Sequence, residues 1–285
     1  MIAVTGATGQ LGRLVLEELL KTRAPESIAA LVRSPDKARD LAARGLQVRE
    51  ADYSRPSTLE AALKGVDRLL LISSSEIGQR VDQHRAVIDA ARHAGVQLLV
   101  YTSLLHADSS ALGLAGEHRE TEALVQSSGL PFVILRNGWY TENYTAAVPA
   151  ALAHGALLGS AREGRIASAA RADYAAAAAA VLRDGAETGR VYELAGDTAY
   201  SLTELAAEIS RLSGKAVRYQ DLPPSDYKAA LLGAGLPEGL AALLADSDAG
   251  ASQGALFDDG KQLSQLIGRP TTPLATLITV ALPRQ

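Results

Sequence analysis

The sequence predicts a doubly wound α/β fold: a parallel sheet with helices on both faces, followed by a smaller α+β lobe. Three observations predict it. Short apolar runs alternate with segments of helical periodicity through the first half of the chain, and short connections join them. The first run leads straight into a glycine turn and a helix. After about residue 150 the rhythm loosens into short helices, glycines and prolines. The expected division is a first domain over 1–150, rejoined by about 165–198, and a lobe made of about 151–164 and 199–285.

The first run, Ile2-Ala3-Val4-Thr5, suits a buried parallel strand. The turn after it is Gly6-Ala7-Thr8-Gly9-Gln10-Leu11-Gly12, and Leu11, Leu14, Val15, Leu19 and Leu20 then recur at helical spacing. Gly6 allows a tight turn, Gly9 lets backbone approach a pyrophosphate, and Gly12 lets the helix pack on the strand. The first N–H groups of that helix have no partner inside it and favour an anion. The spacing is GxxGxxG, so the usual Rossmann-type fingerprint is matched in its mechanics and not in its letters. A purely structural strand-to-helix turn is the alternative.

The second strand, Ser27 to Val32, decides which anion. An Asp or Glu about 20 residues beyond the glycines bonds a ribose 2′-hydroxyl, whereas Arg suits a 2′-phosphate. Here the strand ends on Arg33 with no acid beside it. A planar guanidinium engages phosphate through paired bonds. NADP(H) is therefore expected over NAD(H), against the alternative of an ordinary surface arginine.

Further strands are expected at Leu46–Val48, Arg68–Ile72, Val96–Tyr101 and Pro131–Leu135, with helices around Thr58–Leu63, Arg80–His93 and Glu117–Ser127. Such a sheet places ligands at its strand carboxyl ends. Beyond residue 150, Arg171–Leu182 is an alanine-rich helix. Val191–Leu194 looks like one more strand, and Ser201-Leu-Thr-Glu204 is a capping box for a helix reaching Leu212.

Composition bounds the rest. The 285 residues, 47% hydrophobic and 21% charged, suit a globular protein with a large core. A net charge of −4 points away from nucleic acid and anionic membranes as partners. With no cysteine, disulfides, thiolate nucleophiles and cysteine-bound metals are excluded. Strand residues begin at Ile2 and no apolar run is long enough to span a bilayer, so a cytoplasmic protein without membrane insertion is expected.

Candidate site residues follow from the strand ends. Ser73, Ser74 and Ser75 end the fourth strand and can bond ribose or phosphate, or simply make a turn. Asp52 can accept from an adenine amino group, or cap the next helix. The sixth strand runs into Arg136-Asn137-Gly138-Trp139-Tyr140-Thr141-Glu142-Asn143-Tyr144, dense in aromatic and amide groups in a chain only 4% aromatic. These groups suit a flat ring such as nicotinamide or a quinone; equally, Trp139 and the tyrosines can fasten the lobe to the sheet.

The glycine turn, Arg33-Ser-Pro-Asp-Lys37, Ala94-Gly95-Val96 and Tyr101-Thr102-Ser103 resemble the NmrA-like group of atypical short-chain dehydrogenase/reductases. Within it, Ser103-Leu-Leu-His106-Ala-Asp108, Leu135–Tyr144 and Ala167-Ser-Ala-Ala-Arg171-Ala-Asp173-Tyr174 are similar to bacterial type 2 NADPH:quinone oxidoreductases. The likeness also covers Tyr192–Asp197, Ala245–Asp248 and Leu256–Asp259, and so spans essentially the whole chain. It implies hydride transfer from NADPH to a quinone without flavin or metal; a related group acts on triphenylmethane dyes. Short-chain dehydrogenases often pair through helices, which gives a hint of a homodimer, although no exposed apolar face marks one.

One departure from that superfamily is informative. None of the nine tyrosines is followed by Lys four positions later, so the usual proton relay is missing. The helix after the fifth strand reads Leu114-Ala-Gly-Glu117-His118-Arg119-Glu120-Thr121-Glu122 there. Quinone reduction tolerates this, because the developing oxyanion is aromatic and weakly basic. The expected mechanism is positional: pyrophosphate at Gly9 to Leu11, 2′-phosphate at Arg33, and two rings held at near-attack distance. Asn143, Tyr140 and Asn137 are candidates for orienting nicotinamide and quinone oxygens. His118 is the candidate acid, with a solvent-facing helix histidine as the alternative. The rival classes are a non-catalytic NADP(H) sensor and a reductase of another electrophile.

Overall fold

The computed structural model describes residues 1–185 and 187–283. Two compact units emerge: Met1–Asp108, Leu114–Asn137 and Arg171–Glu193 form the first, and Ser109–Gly113, Gly138–Ala170 and Leu194–Gln285 the second. The division falls at Asn137 and not near residue 150. Segments 109–113, 138–150, 165–170 and 194–198, expected with the sheet, belong to the second unit, where Tyr140 bridges Ala169 and Thr141 N–H donates to Ala169 O at 2.9 Å.

In the first unit, strands β1 (Ile2–Val4), β2 (Ile28–Val32), β3 (Gln47–Glu50), β4 (Arg68–Leu71), β5 (Leu98–Leu104) and β6 (Phe132–Asn137) are joined by one more (Arg190–Leu194, β8 in chain order). Their order is β3-β2-β1-β4-β5-β6-β8, and β1 to β6 pair in parallel. Bonds from Gly189 N–H to Phe132 O and from Gly138 N–H to Leu194 O run along β8 in the same sense. Helices α1 (Gln10–Leu20), α2 (Arg39–Ala43), α3 (Pro56–Ala62), α4 (Arg80–Ala94) and α5 (Ala115–Ser127) connect the strands, and α8 (Arg171–Asp184) packs on α1. The expected third strand begins one residue late and runs on to Glu50, because its inner positions are only half-buried at the sheet edge.

The core is the sheet's own apolar content. Leu69, Leu71, Leu99, Tyr101 and Ile134 from the strands close against Val87, Ala91 and Val125 from the helices. These runs read as continuous apolar segments because helices cover the strands on both faces. At about 25 cal/mol per Å² of apolar surface, each buried leucine contributes roughly 2 kcal/mol. Helix α4 stops where Gly95 takes a left-handed conformation, φ +72°, that closes its last carbonyls.

The second unit holds α6 (Thr141–Thr145), α7 (Val148–His154), α9 (Leu202–Ser213), α10 (Pro224–Gly233), α11 (Glu238–Ala251), α12 (Gln262–Ile267) and α13 (Leu274–Ala281). The capping box opens α9: Glu204 N–H donates to Ser201 Oγ and Ser201 N–H to Glu204 Oε2. Two strands not anticipated from the sequence, β7 (Ala156–Gly159) and β9 (Arg218–Asp221), pair in parallel there. Among the described residues no helix is long and apolar enough to cross a membrane.

Candidate cofactor site

The sheet reverses direction about β1, which has β2 on one side and β4 on the other. A doubly wound sheet opens a crevice at that point. Here it is a groove of about 450 Å³ at the carboxyl ends of β1 to β4. Gly6, Thr8, Gly9, Gln10, Leu11, Arg33, Asp52, Ser73, Ser74 and Ser75 all line it, so residues spread over seventy positions are brought together as expected.

The glycines do separate work. Gly6 sits at φ +57°, where a side chain would strain the backbone. A Cβ on Gly12 would stand 2.3 Å from Gly6 O and 2.9 Å from Ala7 Cα, so α1 approaches the turn as closely as backbone allows. Gly9 is the N-cap of α1 and no side chain caps that end. The helix therefore presents its first N–H groups to the groove, a donor set that fits a pyrophosphate. Ala7, expected among the cofactor contacts, is instead fully buried, and its N–H donates to Leu31 O at 3.3 Å. It ties the turn to β2 and does not line the groove.

At the end of β2, Arg33 is joined by Ser34 and Lys37. The cluster can hold a doubly charged phosphate through a planar fork and a point charge. Lys37 was not among the expected site residues, although its place in the short turn Pro35–Ala38 after the strand was a usable signal that it lines the groove. Arg33 Nη1 donates to Glu76 Oε1 at 2.8 Å. Glu76 and Gln83 complete this wall, and nothing in their local sequence marks them. Asp52 does not cap α3, whose N-cap is Arg55. Its carboxylate accepts from Ser54 N–H and Arg55 Nε, both at 3.0 Å, and the Ser54 bond leads in holding its pKa below the ordinary value.

The serine segment after β4 is fixed from behind. Ser73 N–H donates to Thr102 Oγ1 and Ser74 N–H to His84 Nε2, each at 2.9 Å. Accepting at Nε2 puts the His84 proton on Nδ1, which donates to Thr121 Oγ1 at 3.0 Å. Burial, with Arg80 next, pushes the His84 pKa down to about 3, so this anchor stays neutral.

His118 is corrected on both expected counts. It is neither solvent-facing nor poised to titrate near neutrality. Only 5% exposed on the inner side of α5, its Nδ1 lies 2.7 Å from Tyr101 OH. Burial first, then Arg80, lowers its pKa to about 3. One turn later the same face carries Glu122, which is also buried. Arg136 forks onto it, Nε to Oε1 at 2.9 Å and Nη2 to Oε2 at 2.7 Å, and Ser103 Oγ donates to Oε1 at 2.5 Å. Where a relay would stand, the inner face of α5 holds a sealed hydrogen-bond network.

The aromatic segment lies outside the groove lining. Asn137 ends β6 in the first unit, and its buried Oδ1 has no hydrogen-bond partner among the described residues. Gly138, Trp139, Tyr140 and Asn143 belong to the second unit. Trp139 and Tyr144 are buried, whereas Tyr140 and Asn143 are half-buried. Tyr144 OH donates to Asp248 Oδ1 at 2.8 Å, and burial raises the Asp248 pKa to about 6. Among the described residues no group of three or more His, Cys, Asp or Glu side chains is arranged to hold a metal ion.

Comparisons with known proteins match the chain along most of its length. A family model described as NAD(P)H-binding covers residues 6–185. The chain belongs to the NAD(P)H-binding family. Quinone oxidoreductase 2 of Escherichia coli (strain K12) is 60% identical to it over 98% of both chains. The crystal structure of an NADPH-dependent quinone oxidoreductase from Escherichia coli complexed with NADPH has a TM-score of 0.96 at 60% identity, covering 98% of this chain and 99% of that one. The triphenylmethane reductase of Citrobacter sp. complexed with NADP(H) has a TM-score of 0.95 at 37% identity, covering 99% and 100%. The NmrA-like classification drawn from the motifs stands.

Proposed function

We propose that this chain is an NADPH-dependent quinone oxidoreductase acting in the cytoplasm. One observation carries the proposal beyond cofactor binding: the inner face of α5 holds His118 and Glu122, both buried and bonded. A site that binds a nicotinamide and lacks a titratable relay suits an acceptor whose reduced form is a weak base. The 60% identity to Quinone oxidoreductase 2 along the whole chain supports the same acceptor. The bound cofactor supplies the hydride to the quinone.

The chain's own residues bind and orient. The N–H groups at the start of α1 would hold the pyrophosphate, with Gly9 and Gly12 keeping backbone close. Arg33, Ser34 and Lys37 would hold the 2′-phosphate. Asn137, with its unpartnered Oδ1, would take a nicotinamide amide, and Tyr140 and Asn143 would orient the quinone.

The test is NADPH oxidation by the purified chain against a panel of quinones, with a triphenylmethane dye alongside. Turnover is expected with quinones. Arg33→Ala is expected to weaken NADPH at least about tenfold, through loss of charge-assisted bonds, and to leave NADH nearly unchanged. Asn143→Ala and Tyr140→Phe should lower kcat far more than NADPH affinity. Oxidation with the dye alone would make this a reductase of another electrophile, which the likeness to the Citrobacter enzyme favours as the second reading. Preferential NADP⁺ binding with no turnover on any acceptor would overturn the enzyme and leave a sensor.

A further inference from the structure

Arg33 comes from the end of β2 and Glu76 from the loop after β4, and β1 lies between those strands. Their 2.8 Å ion pair therefore spans the carboxyl end of β1, across the groove. Both side chains remain accessible, at 70% and 42%. An exposed ion pair is ordinarily incidental, worth at most about fivefold in an equilibrium constant.

Glu76 is more than a passing partner because it is held from the other side. Gln83 Nε2, on a side chain buried in α4, donates to Glu76 Oε2 at 2.7 Å. Glu76 N–H donates to Ser74 Oγ at 3.2 Å, and Arg80 Nε donates to Ser74 O at 2.7 Å. Gly78 N–H donates to Glu117 Oε1 at 2.8 Å. Together with the His84 anchor, these bonds fix the loop and its carboxylate independently of Arg33. When the guanidinium turns to another anion, Glu76 stays where it is.

We propose that Glu76 is a specificity-determining residue: a fixed carboxylate that competes with the cofactor's 2′-phosphate for Arg33 and so limits the preference for NADPH over NADH. The proposal rests on the NADPH reading above. A 2′-phosphate takes the guanidinium from Glu76 and is left beside a like charge. A 2′-hydroxyl brings no charge and leaves the pair in place. Glu76 thus weakens one cofactor and not the other.

Calorimetric titration of the full-length chain tests this, with 2′,5′-ADP and 5′-AMP as probes beside NADPH and NADH. Glu76→Gln keeps a side chain for Gln83 to bond and removes the charge. It is expected to tighten 2′,5′-ADP and NADPH about three- to fivefold, to leave 5′-AMP and NADH unchanged, and to do nothing in an Arg33→Ala background. Weaker 2′,5′-ADP binding in Glu76→Gln would overturn the proposal and make Glu76 a cofactor ligand. Equal tightening of 2′,5′-ADP and 5′-AMP, or the same gain without Arg33, would overturn it as well. Failure of the NADPH reading looks different: the wild-type chain would then bind 2′,5′-ADP no tighter than 5′-AMP. A wild-type preference that Glu76→Gln does not move overturns this proposal alone.

Discussion

At the carboxyl ends of β1 and β2 the polar groups stay accessible. Gly9 and Gln10 are exposed at the start of α1, and Arg33 is bonded to a carboxylate that a phosphate can replace. At the carboxyl ends of β5 and β6, in the same sheet, Ser103, Glu122 and Arg136 are buried and bonded to one another. His118 and Tyr101 pair beside them. The contrast teaches what each end can do. An accessible ion pair exchanges partners at little cost, whereas a buried pair that loses a partner leaves an uncompensated charge in low dielectric. The ion pair beside β1 and β2 can give way to a ligand, whereas the cluster of Ser103, Glu122 and Arg136 holds the frame still.

The contrast is broken most directly at its sealed end. Glu122→Gln should destabilise the fold by about 1.5–3 kcal/mol, because Arg136 loses its forked, buried carboxylate and keeps only Glu193 and Asp108 on Nη1. Urea unfolding measures this, and stability equal to wild type would mean the pair is incidental. At the open end, Gly12→Ala places a Cβ against Gly6 O. The turn must shift, at a cost of about 1–3 kcal/mol, and NADPH affinity should fall with it. Fluorescence titration reads the loss, and unchanged affinity would separate the close approach from binding.

The finest test concerns pH. A histidine held at about 3 in the fold, against about 6.5 unfolded, binds its proton only in the unfolded chain over the interval between. Its stabilising contribution is therefore full above pH 6.5 and is lost as pH falls toward 3. His118→Asn keeps an acceptor for Tyr101 and should flatten the acid loss of stability between pH 6 and 5 by about 1 kcal/mol per pH unit. The pH profile of kcat between 6 and 8 should keep its shape. Disappearance of an inflection near neutrality in that profile would restore His118 as the acid.

How far the sequence carried can be seen at particular residues. Strands β1, β2, β4, β5 and β6 were legible within a few residues because both faces of a parallel sheet are buried. Strands β7 and β9 were not: Ala156-Leu-Leu-Gly159 is too short to stand out, and Arg218-Tyr-Gln-Asp221 has no apolar run. His118 was misread because its neighbours Glu117, Arg119 and Glu120 are charged. The helical stripe Ala115, His118, Glu122, Val125 was present, but two of its four letters are polar and hide an inward face.

The sequence by itself determined the strand-turn-helix opening, the capping box of α9, and the arginine that awaits the second strand's ligand. Each depends on residues a few positions apart, whose geometry local chemistry dictates. Only the tertiary structure decided which polar groups would be open and which sealed. The partner of Glu122 stands 14 residues away, that of Arg33 stands 43, and Glu193 reaches Arg136 across 57. Desolvation and pairing are properties of those meetings, and no local pattern in the chain records them.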